Sequence, residues 1–177
     1  SSDPNKHYHD HVYGFAVEAD NELFARLVLE INQAGLSWTT ILKKWQGFYQ
    51  AYAQFDIATV AAFNEEDMAR LLADASIIRN RLKVQAAVYN AQQIMGLQQE
   101  YGSFKAWLDH HHPLDKNAWV KLFKQHFKFV GGEIVNEFLM STGYLAGAHE
   151  ESCPVLSQVL ASKPLFAQTP LQDDTPC

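Results

Sequence analysis

The sequence is poor in the residue types that mark several large protein classes. Its 177 residues include only two cysteines, Cys153 and Cys177. That is too few for a disulfide scaffold, and a reducing, cytoplasmic setting is expected. No apolar run approaches the ~18 residues that span a bilayer, so no membrane partner is expected. The opening decapeptide SSDPNKHYHD has no signal-peptide core. Positive charge is scarce: 14 Lys and Arg against 20 Asp and Glu give a net charge of −6 and a pI of about 5.7. This excludes coating of nucleic acid by bulk charge. It leaves room for a local basic patch that grips a few phosphates. There is no G-x-S-x-G, Walker or dinucleotide fingerprint. No lysine is marked as a Schiff-base nucleophile, no alternating strand pattern stands out, and no repeat or low-complexity tract occurs.

What is present is a globular balance of 47% apolar and 19% charged residues. The length suits one domain over residues 1–161, or two small lobes sharing one core. An irregular tail is expected over 162–177, where three prolines interrupt a polar stretch. Helical spacing dominates, so the fold class is all-α. Asp20 is placed to cap a helix from Asn21, with Leu23, Phe24, Leu27, Val28 and Ile31 on one face. A second helix is expected over about 36–55, with Gly47 as its weak point. Asp56 caps a short helix in DIATVAAF, and Asn64 with Asp67 opens another in NEEDMARLLAD. A long helix follows over about 82–99. Further helices are expected in SFKAWLDH, NAWVKLFKQHF and GEIVNEFLMSTGY.

Polar chemistry gathers in two places. In LEINQAGLSWTTILKK, a carboxylate and two amides (Glu30, Asn32 and Gln33) arrive in the last turn of an apolar helix. Gly35 then stops the helix and Trp38 follows. On a helical wheel Glu30 sits at the edge of the apolar stripe. It is either a boundary glutamate in water or a carboxylate lining a pocket. Gly35 would let backbone approach a ligand, and Trp38 offers a flat face. In KHYHDHVYG, His7, His9 and His11 alternate with Tyr8 and Asp10, which fits a solvated loop, an aromatic wall or a metal ligand. His149 and Cys153 form an H-x3-C pair of zinc-ligand types, and with His9 they make three ligands. The run LLADASIIRNRLKVQAAV joins two apolar helices by a short link followed by Arg79, Arg81 and Lys83. It reads either as a plain helical hairpin or as a helix-hairpin-helix that aims backbone N–H groups at phosphate. Lys43, Lys44, Lys121, Lys124 and Lys128 are candidates to extend that patch. Phe127, Phe129 and Phe138 around Gly131-Gly132 are expected in the core. His110, His111 and His112 are expected at the surface.

Taken in order, YHD at 8–10, LE and QAGLSWTTILKK at 29–44, IIRNR-K at 77–83, FKFVG at 127–131 and H-x3-C at 149–153 resemble the bacterial DNA-3-methyladenine glycosylase I family. The likeness runs from about Ser1 to Cys153. It implies a helix-hairpin-helix DNA glycosylase-like helical domain with a zinc-binding region formed by the N- and C-terminal parts. The implied activity is base-excision repair: hydrolysis of the N-glycosidic bond of 3-methyladenine in alkylated DNA, leaving an abasic site. The alternative is a degenerate homologue that binds modified purines or DNA without cutting. The resemblance implies Glu30 as the base-reading catalytic carboxylate, with Trp38 and Tyr8 at the walls of the pocket; Tyr13, where the family has tryptophan, is expected to join them. Arg79, Arg81 and Lys83 fall in the DNA-binding hairpin. His9, His149 and Cys153 match three of four structural zinc ligands; the fourth, a cysteine near the family's N-terminus, would lie before Ser1. The implied partners are damaged double-stranded DNA and free 3-methyladenine as product, acted on by a monomer. The chain departs from the family pattern at Val12 and Tyr13, at Ser76 and Leu82 in the hairpin, and at Asn136.

Overall fold

A computed structural model describes Lys6, His9, residues 17–147, Cys153, residues 155–162, Pro164 and Phe166. Every regular element among these residues is a helix. In chain order they are α1 (Asp20–Gln33), α2 (Trp38–Lys43), α3 (Trp45–Ala51), a 3-10 turn (Ala53–Phe55), α4 (Ile57–Ala61), α5 (Glu65–Leu72), α6 (Arg81–Tyr101), α7 (Phe104–His111), α8 (Lys116–His126), α9 (Gly132–Ser141) and α10 (Leu156–Ala161). None of the described helices is long and apolar enough to cross a membrane.

Helix α1 is the axis of the molecule. All ten residues from Leu23 to Asn32 are buried, because α2, α4, α6, α7 and α9 pack around it. A helix enclosed on all sides buries its polar stripe as well as its apolar one. Around it lies one continuous core, from Val17 to Tyr144, that includes Phe24, Phe48, Tyr52, Phe104, Trp107, Phe123 and Phe138.

Several local signals act as the sequence suggests. The Asp56 carboxylate accepts from Thr59 N. Asn64 and Asp67 form a reciprocal capping box. The expected helix over 36–55 divides instead. Its first turns end at Lys43, the next helix starts at Trp45, and the chain closes with Ala53, Gln54 and Phe55 at positive φ. Gly47 is not the weak point. A Cβ there would meet the Ser76 carbonyl oxygen at 2.4 Å, so glycine is what lets α3 lie against the hairpin link. Phe127 and Phe138 are core, whereas Phe129 is 40% exposed at φ +63°. Helix α10 lies in a stretch for which no helix was expected. In the tail, Phe166 N donates to Gly143 O.

Asp20 is also reassigned. The cap position of α1 belongs to Ala19, and no side chain caps it. The Asp20 carboxylate instead accepts from Phe104 N (2.8 Å), Lys105 N (3.0 Å) and Gln98 Nε2 (2.8 Å). With Ser103 Oγ accepting from Ala106 N, the first three N–H groups of α7 are satisfied. Asp20→Ala removes all three carboxylate bonds and orphans two helix donors. It is expected to cost about 2 kcal/mol, lowering Tm by roughly 4–8 °C in a thermal melt.

Candidate active site

The buried C-terminal end of α1 faces a cleft of about 820 Å³, lined by His9, Glu30, Gln33, Ala34, Gly35, Trp38, Gly131, Gly132, Glu133, Ile134 and Glu137. The volume suits a nucleoside-sized ligand. Gly35 takes φ +82° in the turn that ends α1, a conformation natural to glycine. The turn is tied by Leu36 N donating to Gln33 O at 2.7 Å and Gln33 Nε2 donating to Leu36 O at 2.7 Å. Ser37 caps α2, its Oγ accepting from Thr40 N. This places Trp38 as the first residue of α2, on the cleft wall.

Glu30 is 1% exposed. Neither of its carboxylate oxygens has a hydrogen-bond partner among the described residues. The wheel placed it at a boundary, but the helices packed around α1 put that boundary inside the protein. Burial, first, and the negative charge of Glu137, second, raise its carboxyl well above the ordinary glutamate value; Arg26, one turn earlier, pulls the other way. Asn32 and Gln33 do not hold Glu30. Asn32 Nδ2 donates to Val28 O within its own helix (2.8 Å), and Gln33 secures the glycine turn. Arg26 donates to Glu22 Oε1 (3.0 Å) and to Ser141 O at the end of α9 (3.2 Å).

The hairpin basic residues part company. Arg79 and Arg81 are exposed, while Lys83 is 7% exposed. Its Nζ donates to Asn32 O (3.1 Å) and Ala34 O (3.3 Å). Lys83 is therefore not a phosphate contact; it caps the carbonyls at the end of α1 and anchors the Gly35 turn beside the cleft. Burial lowers its ammonium below the ordinary lysine value. Lys44 likewise donates to Ala75 O (3.0 Å), and Lys128 Nζ lies 4.1 Å from the centre of the Tyr89 ring. Leu82 stands 64% exposed beside Arg81. Glu133 and Glu137, on the opposite cleft wall, were not singled out in the sequence. An i,i+4 acidic pair on an apolar helix after a Gly-Gly turn was the available signal.

His9 Nε2 and Cys153 Sγ lie 3.6 Å apart, brought together across 144 positions. Among the described residues, no group of three His, Cys, Asp or Glu is arranged to hold a metal ion. Tyr8, Tyr13 and His149 lie outside the described residues.

Residues 1–121 match the family model described as methyladenine glycosylase. The chain is 35% identical over 165 residues to DNA-3-methyladenine glycosylase 1 of Escherichia coli, covering 82% of this chain and 88% of that protein. It is 29% identical to DNA-3-methyladenine glycosylase of Haemophilus influenzae, covering 83% and 89%. Among solved structures it is similar to 3-methyladenine DNA glycosylase I from Staphylococcus aureus, solved to show 3-methyladenine recognition. That likeness has a TM-score of 0.78 and 33% identity, covering 88% of this chain and 92% of that one. It is also similar to a 3-methyladenine DNA glycosylase I in complex with 3-methyladenine, with a TM-score of 0.79 and 32% identity, covering 88% and 93%.

The raised Glu30 carboxyl has a consequence for stability. The folded protein holds this proton more tightly than the unfolded chain. The contribution favouring the fold is therefore complete below the ordinary value of 4.5 and is lost as pH rises through the raised value. Glu30→Gln removes that loss. Near pH 8 it is expected to melt higher than wild type, by about 1–2 kcal/mol or roughly 2–6 °C, with the difference closing toward pH 4. Melting curves across pH read this directly.

Proposed function

The chain belongs to the methyladenine glycosylase family, and from that premise we propose that it excises 3-methyladenine from alkylated DNA by hydrolysis, leaving an abasic site. The observation that carries the reading is Glu30, a carboxylate enclosed by protein and unpartnered among the described residues, beside a cleft walled by Trp38. An isolated charge inside protein is costly, and a cation entering the cleft offsets that cost. Methylation at N3 makes adenine such a cation. Neutral adenine leaves the carboxylate uncompensated, so charge separates lesion from normal base.

The base reaches the cleft by flipping out of the duplex, at a cost of a few kcal/mol that is lower for a damaged base. Trp38 stacks on it, contributing roughly 0.5–2 kcal/mol through its ring face. Tyr8 and Tyr13 are assigned to the aromatic walls from the sequence, and Glu30 accepts from the purine edge. Arg79 and Arg81 at the hairpin meet the phosphates of damaged double-stranded DNA. The protein acts as a monomer in the cytoplasm.

The test is Glu30→Gln. Replacing a charged acceptor with a neutral one removes about 1.5–3 kcal/mol of binding, so 3-methyladenine release from methylated DNA, measured below saturation, should slow roughly 10- to 100-fold. Binding of free 3-methyladenine, from whose edge Glu30 accepts, should weaken as well. Release at the wild-type rate would remove Glu30 from the reaction.

We also propose a structural zinc held by His9, His149 and Cys153. The separation of 3.6 Å between His9 Nε2 and Cys153 Sγ supports it. Two ligands of one tetrahedral zinc, with Zn–S about 2.3 Å and Zn–N about 2.0–2.1 Å, stand roughly 3.5–3.6 Å apart. Such an ion would tie the segment bearing His9, which lines the cleft, to the C-terminal part of the chain. Metal analysis of protein extended upstream of Ser1 should find close to one zinc per chain, with chelation lowering Tm. Less than about half a zinc per chain would remove the metal from the account.

A further inference from the structure

Breaking the bond between a methylated purine and its sugar moves charge. The positive charge begins on the base. The bonding pair goes to the purine nitrogen, the base leaves neutral, and the sugar becomes an oxocarbenium ion. Glu30 faces the base. Its attraction is greatest before the bond breaks and fades as the charge departs. Acting alone it favours the bound substrate over the transition state, which does not speed the step. Acceleration needs a second negative group where the charge arrives.

The cleft has such a group on another helix. Glu137 is on α9, beyond the Gly131-Gly132 turn, and lines the same cleft as Glu30. Glu30 is 1% exposed, whereas Glu137 is only partly buried and is the more open to solvent of the two. A nucleotide that enters base first leaves its sugar on that outer side. Nothing would obstruct a Cβ at Gly131 or Gly132, so the sugar can pass close to backbone there. Two carboxylates held in unlike surroundings take unlike roles, as acid–base pairs in enzymes do.

Building on the glycosylase reading, we infer that Glu137 is a second catalytic carboxylate, which stabilises the oxocarbenium ion and orients the attacking water. The water oxygen bonds to C1′ as the C1′–N9 bond breaks. One water proton passes to the Glu137 carboxylate and then to solvent. The products are an abasic deoxyribose and a neutral base, which Glu30 holds less tightly than the cation.

The experiment compares wild type, Glu137→Gln and Glu30→Gln in single-turnover release of 3-methyladenine from methylated duplex DNA, beside titration with the free base. Glu137→Gln is expected to slow release about a hundredfold or more. Its affinity for free 3-methyladenine should stay within about threefold, a change of at most ~0.7 kcal/mol. Glu30→Gln should lose affinity, and should slow release only where the enzyme is below saturation. Release by Glu137→Gln at the wild-type rate overturns the assignment, and so does an equal loss of rate and affinity in a variant that melts like wild type. If the Gln variant melts early, Glu137→Asp, which withdraws the carboxylate by one methylene, takes its place under the same criteria. Wild-type protein that releases no 3-methyladenine would end the glycosylase reading itself, and this assignment with it.

Discussion

A buried carboxylate with no hydrogen-bond partner among the described residues is the constraint on which this molecule is organised. Ionised Glu30 carries a desolvation cost of several kcal/mol, and no described residue offers it a hydrogen bond. Its carboxyl is raised accordingly, with the negative charge of Glu137 adding to the effect. Such a group persists because it sits on the most enclosed helix, where neighbours on every side supply the compensating apolar burial. The deficit at one residue is a demand for positive charge in the cleft, which the proposed cationic base would meet.

The polar groups nearby serve position and give Glu30 no hydrogen bond. Lys83 ties two carbonyls at the end of α1, Gln33 closes the glycine turn, and Arg26 joins α1 to the end of α9. Asn90 holds the backbone of Lys128 at both N–H and C=O, just before the Gly131-Gly132 turn that opens the cleft wall. Each of these bonds fixes backbone that carries a cleft residue. The site is thereby built before the ligand arrives, and a preorganised site needs no reorganisation during the reaction.

Much of this was legible in the residues. Periodicity located α1, α6, α7, α8 and α9, and short-range caps such as Asp56 and Asn64 with Asp67 are as written. QAGLSW marked the turn at the cleft, because a glycine at positive φ next to a capping serine and an aromatic is a local pattern. What escaped was set by partners far away in the chain. Asp20 caps α7, some 84 positions on, rather than its own helix. Gly47 is explained by Ser76. Lys83 reads as a phosphate ligand until the carbonyls of Asn32 and Ala34 are seen beside it.

Helical class, most helix starts and the candidate residues for reading a cation were written locally in the chain, since these follow from backbone propensity and side-chain type over a few positions. Only the tertiary structure decided that Glu30 is enclosed rather than at the water boundary, that Glu137 shares its cleft, and that His9 meets Cys153. Those facts depend on which helices pack against α1 and on how a chain closes over hundreds of ångströms of its own length, and burial is a property of the whole packing, not of any one helix face.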